Sequence, residues 1–431
     1  MKFGYVAFIT FAVLSVFVSA INVGGDYIIH FVDIFWPTNA ASSYFFTQSF
    51  FSTWSTENFG LYTALNIFSL PGYAFISFFY MVGIPAWIQE ITIFSITQFL
   101  SLYFFYRIFI EFLLPKTHVL ESNLIAIFAS ISITYNYSMI IDGWWDAIPS
   151  VFFMIGFGSA FIYYMMRFAK SYLEENTIKF LDLSLMFLFS ALSVSANIPF
   201  ALNLIYLILV FLLFSIFFFY NALRSAKKVL LLLILTFTII ILSNLWWVLP
   251  NIMYVFTVQS FSSAASGLEN IGIYTSVVKG ITPLTFFRIL YGYIYIPFFT
   301  TYSGSLNNRI YHSLFILTFV PIFLIFTQIV VFVILRNSIR SRLGKTFVFF
   351  LVSLLPLAFI LSGGLEIGNL IDKLFENGLI SEMLRNPIVS FSIASVALLV
   401  IVSSVGLSNM FETIHLIAPK FVIHHFIRSV I

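Results

Sequence analysis

The sequence predicts an all-α fold, a polytopic integral membrane helical bundle, and three observations support that prediction. Of the 431 residues, 61% are hydrophobic and only 9% are charged, whereas a water-soluble domain carries about 25% charged residues. The mean hydropathy is +1.04. Apolar runs of about 20 residues, the length that crosses a bilayer as a helix, recur along the chain.

About ten runs have spanning length. They lie at 3–22, 86–111, 123–141, 148–166, 181–197, 199–221, 229–249, 313–335, 346–362 and 387–407. The first run follows a single Lys2 and resembles a signal peptide, but the many later runs favour a retained first helix. One further run, 72–84, lies between Pro71 and Pro85. It is too short to span, which favours a re-entrant or interfacial helix.

The positions of the basic residues predict the orientation of the chain in the cell membrane. If the amino terminus is cytoplasmic and run 72–84 does not cross, most basic residues fall on the cytoplasmic side, as the positive-inside rule requires. The exceptions are Lys279, Arg288, Arg309, Lys373 and Arg385. We therefore expect a multi-pass protein with both termini cytoplasmic.

The chain reads as a single integral membrane domain, 1–431, whose longest loops are extracytoplasmic. These loops are 22–85, with interfacial helices, and 250–312; acidic residues outnumber basic ones on this side. The mixed apolar and basic segment 409–431 predicts a cytoplasmic interfacial tail. The chemistry is therefore expected on the outer face.

The first outer loop offers the leading candidates for catalysis. Asp26 and Asp33 are seven residues apart, so a helical segment would place both carboxylates on one face. Partial desolvation raises the pKa of such a carboxylate towards that of a general base. Trp36 and Trp54 add an aromatic wall suited to a sugar or a lipid-linked substrate. The alternative is that both acids are hydrated loop residues.

Two further aromatic and acidic segments are candidates for lining a substrate. Asp142 and Asp146 enclose a glycine and two tryptophans between two predicted spans, and Trp246 and Trp247 end the seventh span. The alternative is an aromatic belt at the membrane surface with hydrated acids beside it.

Four of the few outer basic residues are candidates for binding a phosphate. An arginine can hold a phosphate through two hydrogen bonds, and Arg288 and Arg309 fit that role better than Lys279 and Arg385. Structural ion pairs or lipid headgroup contacts are the alternative.

Several classes of function find no support in the sequence. It contains no phosphate-binding loop, dinucleotide fingerprint, zinc-protease motif or serine elbow. It has no basic patch on the scale of a nucleic-acid site. The six histidines are scattered and cysteine is absent, so no metal ligands are predicted. Glu90, Glu111 and Asp182 lie near predicted span ends, which argues against an ion-driven transporter.

A succession of short motifs resembles the amino-terminal membrane part of GT-C glycosyltransferases, closest to the arabinofuranosyltransferase-like branch. In chain order the motifs are Gly24-Gly25-Asp26, Asp33, Trp36-Pro37, Trp54, Phe59-Gly60-Leu61-Tyr62, Pro71-Gly72, Pro85-Ala86-Trp87 with Gln89, Trp246-Trp247-Val248-Leu249-Pro250 and Arg385-Asn386-Pro387.

The resemblance implies a GT-C-like fold whose first outer loop carries the catalytic acid, here Asp26 with Asp33 beside it. It implies transfer of a sugar from a polyprenyl-phosphate-linked donor to a glycan or glycoprotein acceptor. The paired acids of metal-dependent members are absent, so a divalent cation stays an open question, as does a partner subunit. The non-enzymatic alternative is a lipid or polysaccharide translocation protein or a membrane scaffold.

Overall fold

The structure is a computed structural model that describes residues 2–23, 70–135, 149–193, 198–219, 226–246, 249, 341–361 and 387–417. Throughout these ranges the regular elements are helices, which confirms the all-α prediction there. They are α1 (Lys2–Val23), α2 (Leu70–Met81), α3 (Ala86–Ile108, continued by a π-helical turn, Phe109–Leu113), α4 (Val119–Thr134), α5 (Pro149–Leu173), α6 (Phe180–Leu192), α7 (Ile198–Phe219), α8 (Ala226–Trp246), α9 (Arg342–Leu361) and α10 (Pro387–Ile417).

Six helices of the described residues are long and apolar enough to cross a membrane: α1, α3, α7, α8, α9 and α10. Each coincides with a predicted span. Helices α4 and α6 also occupy predicted spans, but they are shorter apolar helices. Helix α5 begins where predicted and extends to Leu173, past Arg167 and Lys170, whose charges lower its hydropathy. The predicted span 313–335 lies outside the described residues.

The exposed faces of these helices are apolar, as contact with lipid requires. Only 22% of the α1 window is buried, along a narrow stripe of Ala7, Phe11, Ser15 and Ser19. These residues recur every fourth position, so they form one edge of the helix. Helix α8 is likewise 17% buried, whereas α10 is 89% buried.

Backbone contacts divide the chain into two units, and the first contains α1, α2, α3 up to Phe104, and α5 to α8. Within it α1 and α5 both contact α3. Helix α1 runs antiparallel to one face of α3, since Phe8 packs edge-on against Phe99 with ring centres 5.0 Å apart, and the Ser95 hydroxyl donates to the Ser15 carbonyl at 3.4 Å. Helix α5 packs against both α6 and α7.

Helix α5 runs parallel to α3 on the opposite side from α1. The close approach occurs at Gly156, where an added Cβ would lie 2.5 Å from the Thr97 carbonyl oxygen. One turn further, the Ser159 hydroxyl reaches the Leu100 carbonyl at 3.4 Å. Glycine at 156 is therefore what permits the two backbones to touch.

The second unit comprises residues 105–133, 281–364 and 394–431. Tyr106 of α3 donates a hydrogen bond to Asn123 Oδ1 of α4 at 2.5 Å. Ser341 accepts from the Gly344 backbone N–H at the start of α9, and its own hydroxyl donates to Asn409 of α10 at 3.3 Å. Helix α10 continues to Ile417, past residue 409, where the interfacial tail was expected to begin.

Candidate functional site at the Glu90 end of α3

Of the predicted site residues, the structure describes only Trp246. It is the last residue of α8 and is partly buried. The remaining predicted residues lie outside the described ranges: Asp26, Asp33, Trp36, Trp54, Asp142, Asp146, Trp247, Lys279, Arg288, Arg309 and Arg385. Their roles stay predictions. The described residues nevertheless contain a buried polar site that the sequence reasoning missed.

A tight turn between α2 and α3 fixes the start of this site. Gly83 has φ +79° and ends α2 with two hydrogen bonds, from its own N–H to the Tyr80 carbonyl and from the Ile84 N–H to the Phe79 carbonyl. This is the Schellman pattern, which favours glycine at the left-handed position. Pro85 then starts α3 by accepting from the backbone N–H of residues 88 and 89.

Gln89 and Glu90 follow in the first turn of α3, and both are completely buried. The Gln89 side-chain Nε2 donates to the Ile84 carbonyl at 2.7 Å, which ties the helix to the preceding turn. Burial raises the pKa of the Tyr80 phenol on α2, and the negative charge of Glu90 adds a smaller increase. A buried carboxylate at a helix end therefore influences a neighbouring tyrosine.

A line of polar residues continues from Glu90 along α3. Thr97 lies seven residues after Glu90, and Ser101 lies four residues after Thr97. At about 100° per residue, all three side chains leave α3 within about 20° of the same direction. With Gln98 beside them they form the α3 polar face. Gln98, Thr97 and Ser101 are all at least 98% buried.

The polar face contacts the end of α4. The Tyr135 hydroxyl donates to Gln98 Oε1 at 2.9 Å, and the hydroxyls of Ser101 and Thr134 lie 2.7 Å apart. Hydroxyl and amide groups buried in a membrane helix bundle are usually satisfied by such contacts between helices.

Among the described residues at this end of the bundle, three buried polar atoms have no hydrogen-bond partner: Ser19 Oγ, Gln89 Oε1 and Gln98 Nε2. All three residues are 0% exposed. An unpaired amide or hydroxyl buried in apolar surroundings costs about 1–3 kcal/mol. Such groups therefore indicate either strain or a position where a ligand or water supplies the missing bond.

Several helix ends meet at the level of Glu90. Gly156 of α5 contacts Thr97 of α3, and the two helices are parallel. Seven residues earlier in each helix are Pro149 and Glu90, which therefore lie at the same level. Ser15 of α1 contacts Ser95 of α3, and these two helices are antiparallel. Val23, the last residue of α1, is about two turns beyond Ser15, so it lies level with the first turn of α3. Helix α2 packs there too, through Ile76 against Ile93.

A second buried charge lies in the same unit but in a different environment. Asp182 of α6 is 0% exposed, and its Oδ1 lies 3.2 Å from Arg167 Nη2 of α5. The Arg167 guanidinium also lies 5.8 Å and 5.6 Å from the ring centres of Tyr163 and Tyr164. This carboxylate therefore has a basic partner that explains its burial.

Within the described ranges, no group of three or more histidine, cysteine, aspartate or glutamate side chains is arranged to hold a metal ion. The available chemistry is that of a carboxylate, amides and hydroxyls. Comparison with protein-family models, with curated proteins and with solved structures finds no match for this chain.

Proposed function

We propose that the protein is a membrane glycosyltransferase that moves a sugar from a polyprenyl-phosphate-linked donor to a glycan or glycoprotein acceptor on the extracytoplasmic face. The proposal includes a multi-pass, GT-C-like fold with about ten spans, inserted in the cell membrane with both termini cytoplasmic. It combines the sequence resemblance with the buried polar site at the Glu90 end of α3.

One observation carries the proposal: the helix ends attached to the predicted acidic segments meet at Glu90. Asp26 follows Val23 by three residues, so the two Cα atoms are separated by at most about 11 Å. The segment with Asp142 and Asp146 ends at Pro149, the first residue of α5, which is level with Glu90; it follows Tyr135, which contacts Gln98 two turns further along α3. Two independent stretches of candidate acids are thus tied by the chain to one end of the bundle.

The chemistry follows from the proposed roles. Asp26 accepts the proton of an acceptor hydroxyl, and the resulting oxygen attacks the anomeric carbon of the donor. The bond from that carbon to the phosphate oxygen breaks, and the polyprenyl phosphate leaves with the electron pair. Outer basic residues, Arg288 and Arg309 before Lys279 and Arg385, stabilise the negative charge that develops on the phosphate.

The test is transfer of radiolabelled sugar from a panel of polyprenyl-phosphate donors by the purified protein in lipid. We expect turnover by the wild type and a loss of at least about a hundredfold for Asp26→Asn, the usual effect of removing a general base. Glu57→Gln changes another acid of the same loop and should retain activity. Equal turnover by Asp26→Asn and wild type would exclude Asp26 as the base.

The polar face of α3 also favours a second candidate, a translocation protein that passes a lipid-linked sugar without chemistry. Polar groups inside a transmembrane bundle commonly line such paths. Flipping of a fluorescent polyprenyl-phosphate sugar in vesicles would then be retained in Asp26→Asn, and no donor would be turned over.

The orientation has its own test, because the chain has no cysteine. A cysteine introduced by Ser43→Cys should react with an impermeant maleimide added outside intact cells, and one introduced by Ser225→Cys should not. Outside labelling through Ser225→Cys would reverse the topology and remove the basis of the site.

A further inference from the structure

We infer that the end of α5, the start of α6 and the start of α8 form a binding surface for the phosphate of an anionic membrane phospholipid. The surface carries Lys170 of α5, Lys179 at the amino-terminal cap of α6, and Lys227 and Lys228 in the first turn of α8. We call these four residues the lysine surface. It lies away from the Glu90 site, so the inference does not depend on the proposed sugar transfer.

The lysine surface lies where the helices enter the membrane. Helix α8 is long and apolar enough to cross a bilayer, and Lys227 and Lys228 precede its apolar residues. In α5, Lys170 follows Pro149, which is level with Glu90, by about 31 Å at about 1.5 Å per residue. The hydrocarbon core of a bilayer is about 30 Å thick. The lysine surface and the Glu90 site are therefore spaced to reach the headgroup layers of opposite leaflets.

The loop between α5 and α6 brings the lysines together. The Thr177 backbone N–H donates to the Ser171 carbonyl at 3.1 Å, so the chain folds back on the end of α5. Asn176 adopts the left-handed conformation, φ +57°, which asparagine tolerates. Its side-chain Oδ1 accepts a hydrogen bond from Lys228 Nζ. This bond attaches α8 to the loop, and the lysines of three helices thereby share one surface.

The charges of this surface favour an anion. Lys179 Nζ lies 3.1 Å from Glu175 Oε2, and both side chains are about half exposed. The charge of Arg167 is compensated by Asp182 at 3.2 Å. Four lysines therefore face two acids, Glu175 and the neighbouring exposed Glu174. An exposed ion pair is worth little, so a phosphate can compete for Lys179 as well.

Exposed apolar side chains beside the lysines favour a lipid over a free phosphate. Phe180 and Leu181 directly follow Lys179, and Leu230 lies two residues after Lys228; all three are well exposed. A phospholipid can place its phosphate among the ammonium groups and its acyl chains against these residues. Lysine suits this level of the membrane because its apolar stem lies along the chains while its charge stays in the headgroup layer.

Stepwise lipid binding to the delipidated full chain, measured by native mass spectrometry, tests the inference. Dioleoyl-phosphatidylglycerol should bind more tightly than dioleoyl-phosphatidylcholine, which has the same acyl chains and no net charge. Lys170→Gln and Lys228→Gln should each weaken binding of phosphatidylglycerol about fivefold, the usual contribution of one lysine near an anionic surface. Binding of phosphatidylcholine should not change.

Two kinds of variant serve as controls. Lys345→Gln removes the same charge from an exposed position of α9, outside the lysine surface, and should bind phosphatidylglycerol like the wild type. Lys170→Arg and Lys228→Arg keep the charge and should also bind like the wild type, which separates a lost charge from a damaged fold.

Equal binding of the two phospholipids by the wild type would overturn the inference. So would unchanged binding of phosphatidylglycerol by both glutamine variants, or an equal loss in the arginine variants. Excess glycerol phosphate carries the charge without acyl chains and should not displace the lipid. Displacement would assign the lysine surface to soluble phosphates and exclude a lipid site.

Discussion

The close contact of α5 with α3 gives the sharpest prediction of stability. A Cβ added at Gly156 would lie 2.5 Å from the Thr97 carbonyl oxygen and 3.0 Å from its Cα. Ordinary van der Waals contact begins at 3.4 Å, so the two backbones would have to separate by about 0.9 Å, the difference between 3.4 and 2.5 Å. A backbone carbonyl in a helix cannot rotate away from the new methyl group.

The magnitude follows from two opposing contributions. Overpacking a tight contact typically costs about 1–3 kcal/mol, while alanine stabilises a helix relative to glycine by up to about 1 kcal/mol. We therefore expect Gly156→Ala to lower the free energy of unfolding by up to about 2 kcal/mol. Because α5 begins at the level of Glu90, the same separation should reduce turnover in the transfer assay.

Two other glycines provide a graded control. An added Cβ at Gly158 would meet the Cδ1 atom of Leu204 at 2.5 Å, but a leucine side chain can change rotamer. At Gly4 nothing lies within 4 Å, so alanine there should be neutral or stabilising. Thermal unfolding followed by tryptophan fluorescence in one detergent should rank the melting temperatures Gly4→Ala, Gly158→Ala, Gly156→Ala from highest to lowest. A Gly156→Ala protein as stable as Gly4→Ala would refute the contact between α5 and α3.

Three further predictions concern the turn before α3 and two ion pairs, Arg167–Asp182 and Lys179–Glu175. Gly83→Ala forces a side chain into the left-handed backbone region and should destabilise the protein by about 1 kcal/mol. Gly83→Asn should destabilise it less, because asparagine tolerates that region better than alanine. Equal melting temperatures for the wild type and both variants would argue against this turn. Arg167→Met leaves the Asp182 carboxylate buried without its cation and should lower the free energy of unfolding by about 3 kcal/mol. Arg167→Met combined with Asp182→Leu should recover most of that loss. A double variant as unstable as the single one would contradict this reasoning. The hydrogen bond and charge of Lys179 hold the pKa of the exposed Glu175 carboxyl below its usual range. The small stabilisation that results is present above the carboxyl pKa of the unfolded chain and disappears as the pH falls through the lowered pKa of the folded protein. In an NMR titration Lys179→Met should raise the Glu175 pKa, and an unchanged midpoint would show that the pair does not form.

The membrane helices could be predicted from the sequence because hydropathy is a sum over many residues. In the part of the chain that the structure describes, all six apolar helices long enough to span lie where the sequence predicts them. The ends were harder to predict. Helix α4 begins at Val119, four residues before the predicted start at 123, because Glu121 and Ser122 lower the hydropathy of its first turn without ending the helix. Charges at Arg167 and Lys170 likewise did not end α5.

The buried site at the Glu90 end of α3 was not predicted, for a related reason. An average over a spanning window conceals one glutamate among apolar neighbours, and Glu90 was assigned to a span end. The spacing of Glu90, Thr97 and Ser101 on one helix face was a usable signal. The contact between Gln98 and Tyr135 could not be predicted from the sequence, since it joins residues 37 positions apart and depends on how two helices pack.

The structure also changes the argument about ionisable residues. Glu90 and Asp182 lie near helix ends, as predicted, and both are completely buried. Asp182 pairs with Arg167, and a two-residue replacement by apolar side chains should be tolerated there. Glu90 lies in the first turn of α3, level with the end of α1 and the start of α5, which adjoin chain segments that carry the candidate acids. Of the two, Glu90 is the carboxylate whose neutralisation should alter substrate handling rather than stability alone.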